Sequence, residues 1–114
     1  MIIEQRTYTL NTGNHLNYLK LYEQEGYHIQ LSILGNLIGY YFTDIGPLNQ
    51  IIHMWGYKSL DDRANRRKAL FENPNWLSYV SKVMPMIAHQ ESKILMPAKF
   101  FEPKGVTFNE KKTF

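Results

Sequence analysis

The stretch from Gly35 to Tyr57 limits the fold of this 114-residue chain more than any other. Two runs rich in β-branched and aromatic residues, Gly35 to Thr43 and Leu48 to Tyr57, flank the turn Asp44-Ile45-Gly46-Pro47. That is the signature of a β-hairpin. In the second run Ile51, His53, Trp55 and Tyr57 alternate with Ile52, Met54 and Gly56, and neither face reads as a solvated one. A sheet largely apolar on both faces must be covered on both, and a chain of this length supplies helices enough for one. A second subunit is expected on the other.

The remaining elements follow in order. Residues 2 to 10 alternate, with Ile2, Glu4, Arg6, Tyr8 and Leu10 on one face. Thr12 or Asn14 is a candidate N-cap for a helix over 15 to 33, whose stripe is Tyr18, Leu19, Tyr22, Gly26, Ile29 and Ile33. Gly26, in mid-stripe, implies either close helix-to-sheet packing or room left for a ligand. Gly35 suits the helix end as a left-handed residue. Ser59 caps a helix running to Asn73, with Asp61 and Asp62 in its first turn. Asn73-Pro74 starts another, with Trp76, Leu77, Val80, Val83 and Met84 as its stripe, and Pro85 ends it. Residues 90 to 97 alternate as a last strand, and Pro97 closes the domain of residues 1 to 97. The expected fold class is therefore α+β: a ferredoxin-like βαββαβ sandwich with a four-stranded antiparallel sheet. Residues 98 to 114, with Phe100, Phe101, Phe108 and Phe114 between charges, are expected to lie across a partner or to be partly disordered.

Composition narrows the function classes. The formal charge of +3 is concentrated in the tail, where Lys99, Lys104, Lys111 and Lys112 face only Glu102 and Glu110. The body has no phosphate-tracking face, so nucleic-acid binding is not expected. Without cysteine, disulfides, thiol nucleophiles and cysteine zinc sites are excluded. No run approaches the ~18 apolar residues of a membrane span. Met1 leads straight into a strand pattern with no signal-peptide features, so a cytoplasmic protein is expected. His15, His28, His53 and His89 stand on separate elements without ligand spacing, so no metal and no cofactor is expected.

Several blocks of residues carry a resemblance. Gly39-Tyr-Tyr-Phe-Thr-Asp-Ile-Gly-Pro-Leu-Asn-Gln, His53-Met-Trp55-Gly-Tyr57, Ser59-Leu-Asp-Asp-Arg63-Ala-Asn-Arg66-Arg67 and Asn73-Pro74-Asn-Trp76 closely resemble the NIPSNAP family. Glu4-Gln-Arg6-Thr-Tyr8 at the start and Gln90-Glu-Ser-Lys-Ile-Leu95-Met-Pro97 at the end fit as well, so the match covers residues 2 to 97. Asn73-Pro74 stands where Asp-Pro is more usual, and the tail has no counterpart. The resemblance implies a dimeric α+β barrel, in which two ferredoxin-like sheets pack face to face. Wider relatives include cofactor-independent monooxygenases, haem-degrading enzymes and lactone isomerases, with sites between each sheet and its own helices. The family itself has no settled reaction, and fold analogy does not carry chemistry across.

The residues themselves suggest where a site would form. Arg67 falls inside the apolar stripe of Leu60, Ala64, Leu70 and Phe71, with Arg63 on its edge. A guanidinium aimed at a core needs a carboxylate, for which Glu4 and Glu91 are the candidates, or an anionic ligand. Arg6, Tyr8, His53, Trp55, Arg63 and Arg67 form the expected ligand-binding cluster, a pocket for a small aromatic or hydrophobic acid. His53 is the candidate general base, and Tyr8 the other catalytic candidate. Three functions follow: a homodimeric small-molecule-binding protein, a cofactor-independent monooxygenase or isomerase, or a purely structural dimer.

Overall fold

The computed structural model describes residues 1–108. Strands β1 (Ile2–Leu10), β2 (Asn36–Phe42), β3 (Gln50–Tyr57), β4 (Ile87–Leu95) and β5 (Val106–Thr107) form one antiparallel sheet in the order β4-β1-β3-β2-β5. Helices α1 (His15–Leu21), α2 (Tyr27–Leu34), α3 (Leu60–Phe71) and α4 (Pro74–Val83) cover one face. No helix among the described residues is long and apolar enough to cross a membrane.

Strand register decides which side chains meet the helices. Glu4 lies opposite Trp55, Arg6 opposite His53 and Tyr8 opposite Ile51, while Tyr40 on β2 also faces His53. All of these share the helix-covered face, where Ile51 and Trp55 have no exposed surface. The other face carries Gln5, Thr7, Ile52, Met54 and Tyr41, and on β4 Glu91 and Lys93. In the single chain Ile52 and Met54 on that face are half-buried and Tyr41 is exposed.

Four strands are expected from the sequence; the sheet has five. The fifth is two residues long, too short for an alternation to register, and joins through backbone pairing of Val106 and Thr107 with Leu37 and Asn36. To reach that edge the tail crosses one end of the open face, where Phe101 and Pro103 line a cleft with Ile3, Ile38 and Met54. Ile3 is thereby 5% exposed although it points away from the helices. Lys111, Lys112, Glu110 and Phe114 lie outside the described residues.

The helix expected over 15 to 33 is broken by a π-turn at Tyr22–Gly26. A π-turn inserts one residue into the helical register, so the inward stripe advances. Ile29 and Ile33, expected inside, are half-buried, and Gln30, Leu31 and Leu34 take the core positions. Asn14 occupies the N-cap position without a side-chain cap bond. Gly35 ends α2 at φ 93, in the left-handed region. In α3, Ser59 accepts the Asp62 N–H at 3.1 Å as expected of an N-cap. Only Leu70 of the expected stripe is buried; Leu60 and Phe71 are 60% and 45% exposed. The last strand begins at Ile87, three residues earlier than its alternation suggests.

Candidate functional site

Between the sheet and helices α1, α3 and α4 lies a cavity of about 300 Å³. Its wall is mainly apolar and aromatic, from Tyr18, Leu70, Trp76, Tyr79, Val80 and Val83. Phe71, Met84 and Gln90, all exposed, stand where it opens to solvent. The sheet contributes Arg6, Tyr8 and His53 to it, and α3 contributes Arg67.

His53 is 1% exposed and held on several sides. Tyr40 stacks on it at 4.9 Å between ring centroids and Tyr8 meets it edge-on at 5.0 Å. The indole N–H of Trp55 donates to its Nδ1 at 2.8 Å. An indole nitrogen can only donate, so Nδ1 must carry the lone pair and Nε2 the hydrogen. Burial, and then the Arg6 guanidinium, push the imidazole down to about 3, so the ring is neutral near pH 7. Trp55 takes the Nδ1 edge and does not itself line the cavity, which leaves Nε2–H as the free polar group of a ring that does. That N–H is buried and meets no acceptor among the described residues. A ring held this way offers a donor, with its only lone pair already occupied.

Glu4, with no exposed surface, is the electrostatic hub beside the cavity. Its Oε2 accepts from Arg63 at 2.8 Å, Arg6 at 3.1 Å and the Ser92 hydroxyl at 2.6 Å. Burial alone would raise this carboxyl; the hydrogen bonds from Arg63 and Ser92 and the charges of Arg6 and Arg63 outweigh it and hold it down at about 2. Arg6 Nε–H also donates to the Tyr8 hydroxyl oxygen at 3.1 Å. The phenol's own hydrogen remains available to donate elsewhere.

Arg67 is left over. Glu4 serves Arg6 and Arg63, and Glu91 sits on the open face beside His89. Neither carboxylate expected from the sequence pairs with Arg67: strand parity turns Glu91 away, and Glu4 is held by Arg6, Arg63 and Ser92 through Oε2 while its Oε1 has no partner among the described residues. Among the described residues Arg67 makes no ion pair, and its guanidinium rests over the Phe71 ring at 5.5 Å. Burial, then repulsion from Arg6, lower its proton affinity. Three guanidinium groups thus surround one carboxylate, an uncompensated positive charge at an apolar cavity.

Of the six residues expected in the cluster, Arg6, Tyr8, His53 and Arg67 line the cavity. Trp55 lies behind His53 as its orienting partner, and Arg63 is committed to Glu4. Sequence reasoning missed Tyr79 and Gln30. Tyr79 lies three residues after Trp76 and four before Val83, a spacing that puts it on the inward face of α4; Gln30 became legible only with the π-turn.

Comparison with known proteins follows the same lines. The NIPSNAP family profile matches residues 3–102. The chain is 35% identical to Protein NipSnap homolog 1 of Danio rerio over 84% of its length, covering 34% of that protein. It thus spans about a third of the length of that relative. A crystal structure of a NIPSNAP family protein of unknown function from Agrobacterium tumefaciens shares 50% identity and superposes with a TM-score of 0.87, covering 89% of this chain and 91% of that one. A NIPSNAP-like domain protein from Burkholderia xenovorans shares 42% identity with a TM-score of 0.92 and 97% coverage of both chains. A candidate antibiotic biosynthesis monooxygenase from Nitrosomonas europaea, at 15% identity and a TM-score of 0.62 over 85% of this chain and 98% of that one, shares the ferredoxin-like fold and no more. On the family profile and on these relatives, the chain belongs to the NIPSNAP family.

Proposed function

We propose that this protein is a homodimeric small-molecule-binding protein whose cavity between sheet and helices takes a small hydrophobic or aromatic acid. The observation that carries the reading is Arg67, a half-buried guanidinium at an apolar cavity with no carboxylate partner among the described residues. An anionic ligand would complete the pairing that the chain withholds. The apolar wall supplies burial for the rest of such a ligand. Binding is preferred to general-base catalysis because the only lone pair of His53 is engaged by Trp55. Pairing of two copies through the open face would cover Ile52, Met54 and Tyr41, which the single chain leaves partly or largely accessible.

Calorimetric titration of the purified protein with phenylpropanoate and octanoate tests the pocket. Saturable binding in wild type that Arg67→Gln abolishes is the expected result, and absence of saturation with either acid refutes it. Sedimentation equilibrium tests the assembly, with twice the monomer mass expected and conversion to monomer on Met54→Asp.

A further inference from the structure

The acid-binding reading accounts for Arg67 and leaves a second polar feature of the same cavity unused. His53 lines the cavity with a neutral ring whose Nδ1 is taken, and its Nε2–H is buried without an acceptor among the described residues. Trp76 lines the same cavity, and among the described residues its buried indole N–H has no acceptor either. Oxygens of Tyr8, Tyr18, Gln30, Tyr79 and Gln90 also lie around the cavity, yet none bonds these two donors, and the Tyr79 hydroxyl is itself buried without a partner among the described residues. A buried donor left unmatched costs about 1–3 kcal/mol. Water can serve such a donor while the cavity is unliganded, but a ligand that displaces the water must replace its acceptor. A plain alkyl or aryl acid would pair Arg67 and strand the N–H groups. A hydroxyl would accept too, but it would bring a hydrogen of its own that must be matched in turn, with the Tyr79 hydroxyl oxygen as the unpartnered acceptor at the cavity. A carbonyl oxygen accepts and brings none.

Resting on the acid-binding reading, we infer that the ligand is an oxo acid, its carboxylate held by Arg67 and its carbonyl oxygen by the Nε2–H of His53, with Trp76 N–H as the second donor beside it. The cavity of about 300 Å³ equals the volume of about ten waters at ~30 Å³ each, which suits a ligand of about ten non-hydrogen atoms. One ring or a short chain fills the apolar wall. A site built to hydrogen-bond a substrate group discriminates against analogues lacking it more sharply than an apolar pocket discriminates by size.

The test compares acids of equal charge with and without a carbonyl. Phenylpyruvate is set against phenylpropanoate, and benzoylpropanoate against phenylbutanoate, by calorimetry on the wild-type protein. At least one oxo acid is expected to bind about tenfold or more tightly than its parent. Trp76→Phe, which removes one N–H and keeps a ring in place, is expected to shrink the ratio of oxo-acid to parent affinity, whatever it does to the parent's own binding. Because a His53 variant risks misfolding, the second readout is spectroscopic. The Nε2–H resonance of His53 should shift on saturation with the oxo acid and stay in place with its parent. Parent acids binding as tightly as both oxo acids, or a silent Nε2–H, would overturn the oxo-acid assignment and leave the acid pocket standing. No saturation by any of the four would overturn both.

Discussion

Trp55 donates its indole N–H to Nδ1 of His53 two residues before it on the same strand, at 2.8 Å, and so sets the tautomer that the ring presents to the cavity. The consequence is measurable across pH. Burial holds the folded imidazole down at about 3 against an ordinary value of 6.5. Between those limits the unfolded chain binds a proton at His53 that the folded chain refuses, so stability falls as the pH drops from about 6.5 towards 3. The loss from this residue amounts to a few kcal/mol. Thermal melts at descending pH should show it, with the midpoint highest above neutrality. Nitrogen-detected NMR should find His53 neutral, protonated at Nε2 and unchanged between pH 8 and 5; a titration in that interval would refute the arrangement.

Glu4 makes the opposite kind of contribution. Its folded carboxyl lies at about 2, below the 4.5 of the exposed group, so its stabilisation is complete above 4.5 and is lost as pH falls through 2. Glu4→Gln should cost much more than the hydrogen bonds alone, because it leaves Arg6 and Arg63 without their shared counter-charge. Breaking a buried ionic cluster on one side costs about 3–5 kcal/mol. At roughly 4 °C per kcal/mol for a chain of this size, the midpoint should fall by on the order of 15 °C. Ser92→Ala, which removes a single donor and leaves both guanidinium groups paired, should cost about 1–2 kcal/mol by urea denaturation. Equal costs for the two variants would contradict the hub.

Most of this site was legible in residue order, and what was missed has a definite cause. Alternation in β1 and β3 placed Arg6, Tyr8 and His53 on one face, since period two leaves no freedom once the strands exist. Register did the rest, and register is not written in a single strand: Glu4 and Glu91 looked equivalent as partners for Arg67 until pairing put Thr7, not Glu4, opposite Glu91. The π-turn at Tyr22–Gly26 was invisible because its signal is one extra residue in a helix, not a residue type, and it alone moved Gln30 inward. Strand β5 escaped because two residues carry no period and their pairing is by backbone alone.

Gly26 shows how a local rule and a packed interior pull against each other. Alanine is favoured over glycine by about 1 kcal/mol within a helix. A Cβ at this position, however, would lie 3.0 Å from Tyr22 Cδ1 and 3.0 Å from Tyr79 Cζ. Neither ring can yield freely, since Tyr22 stacks on Tyr40 at 4.4 Å and Tyr79 lies 5.0 Å from Trp76 between ring centroids. The glycine therefore serves close ring packing and is not space reserved for a ligand. Overpacking of this kind costs about 1–3 kcal/mol, so Gly26→Ala should come out neutral to about 2 kcal/mol less stable. Displacement of Tyr79 would also narrow the cavity, and acid binding should weaken along with it.

Arg67 should separate stability from function with opposite signs. Its guanidinium is half-buried, repelled by Arg6 and without a carboxylate among the described residues, so folding gains little from its charge. Its aliphatic stem and the contact with Phe71 are what the fold uses, and methionine retains apolar bulk of comparable length. Arg67→Met should therefore leave the melting midpoint unchanged or raise it, by up to about 1 kcal/mol of added stability, while phenylpropanoate binding disappears. Lysine at the same position keeps the charge but loses the planar fork, and partial binding is expected of it. Should Arg67→Met destabilise the protein as much as Glu4→Gln does, the guanidinium is a structural ion and not a vacant anchor. A stable Arg67→Met variant that still binds acids as wild type does would place the anionic end of the ligand elsewhere in the cavity.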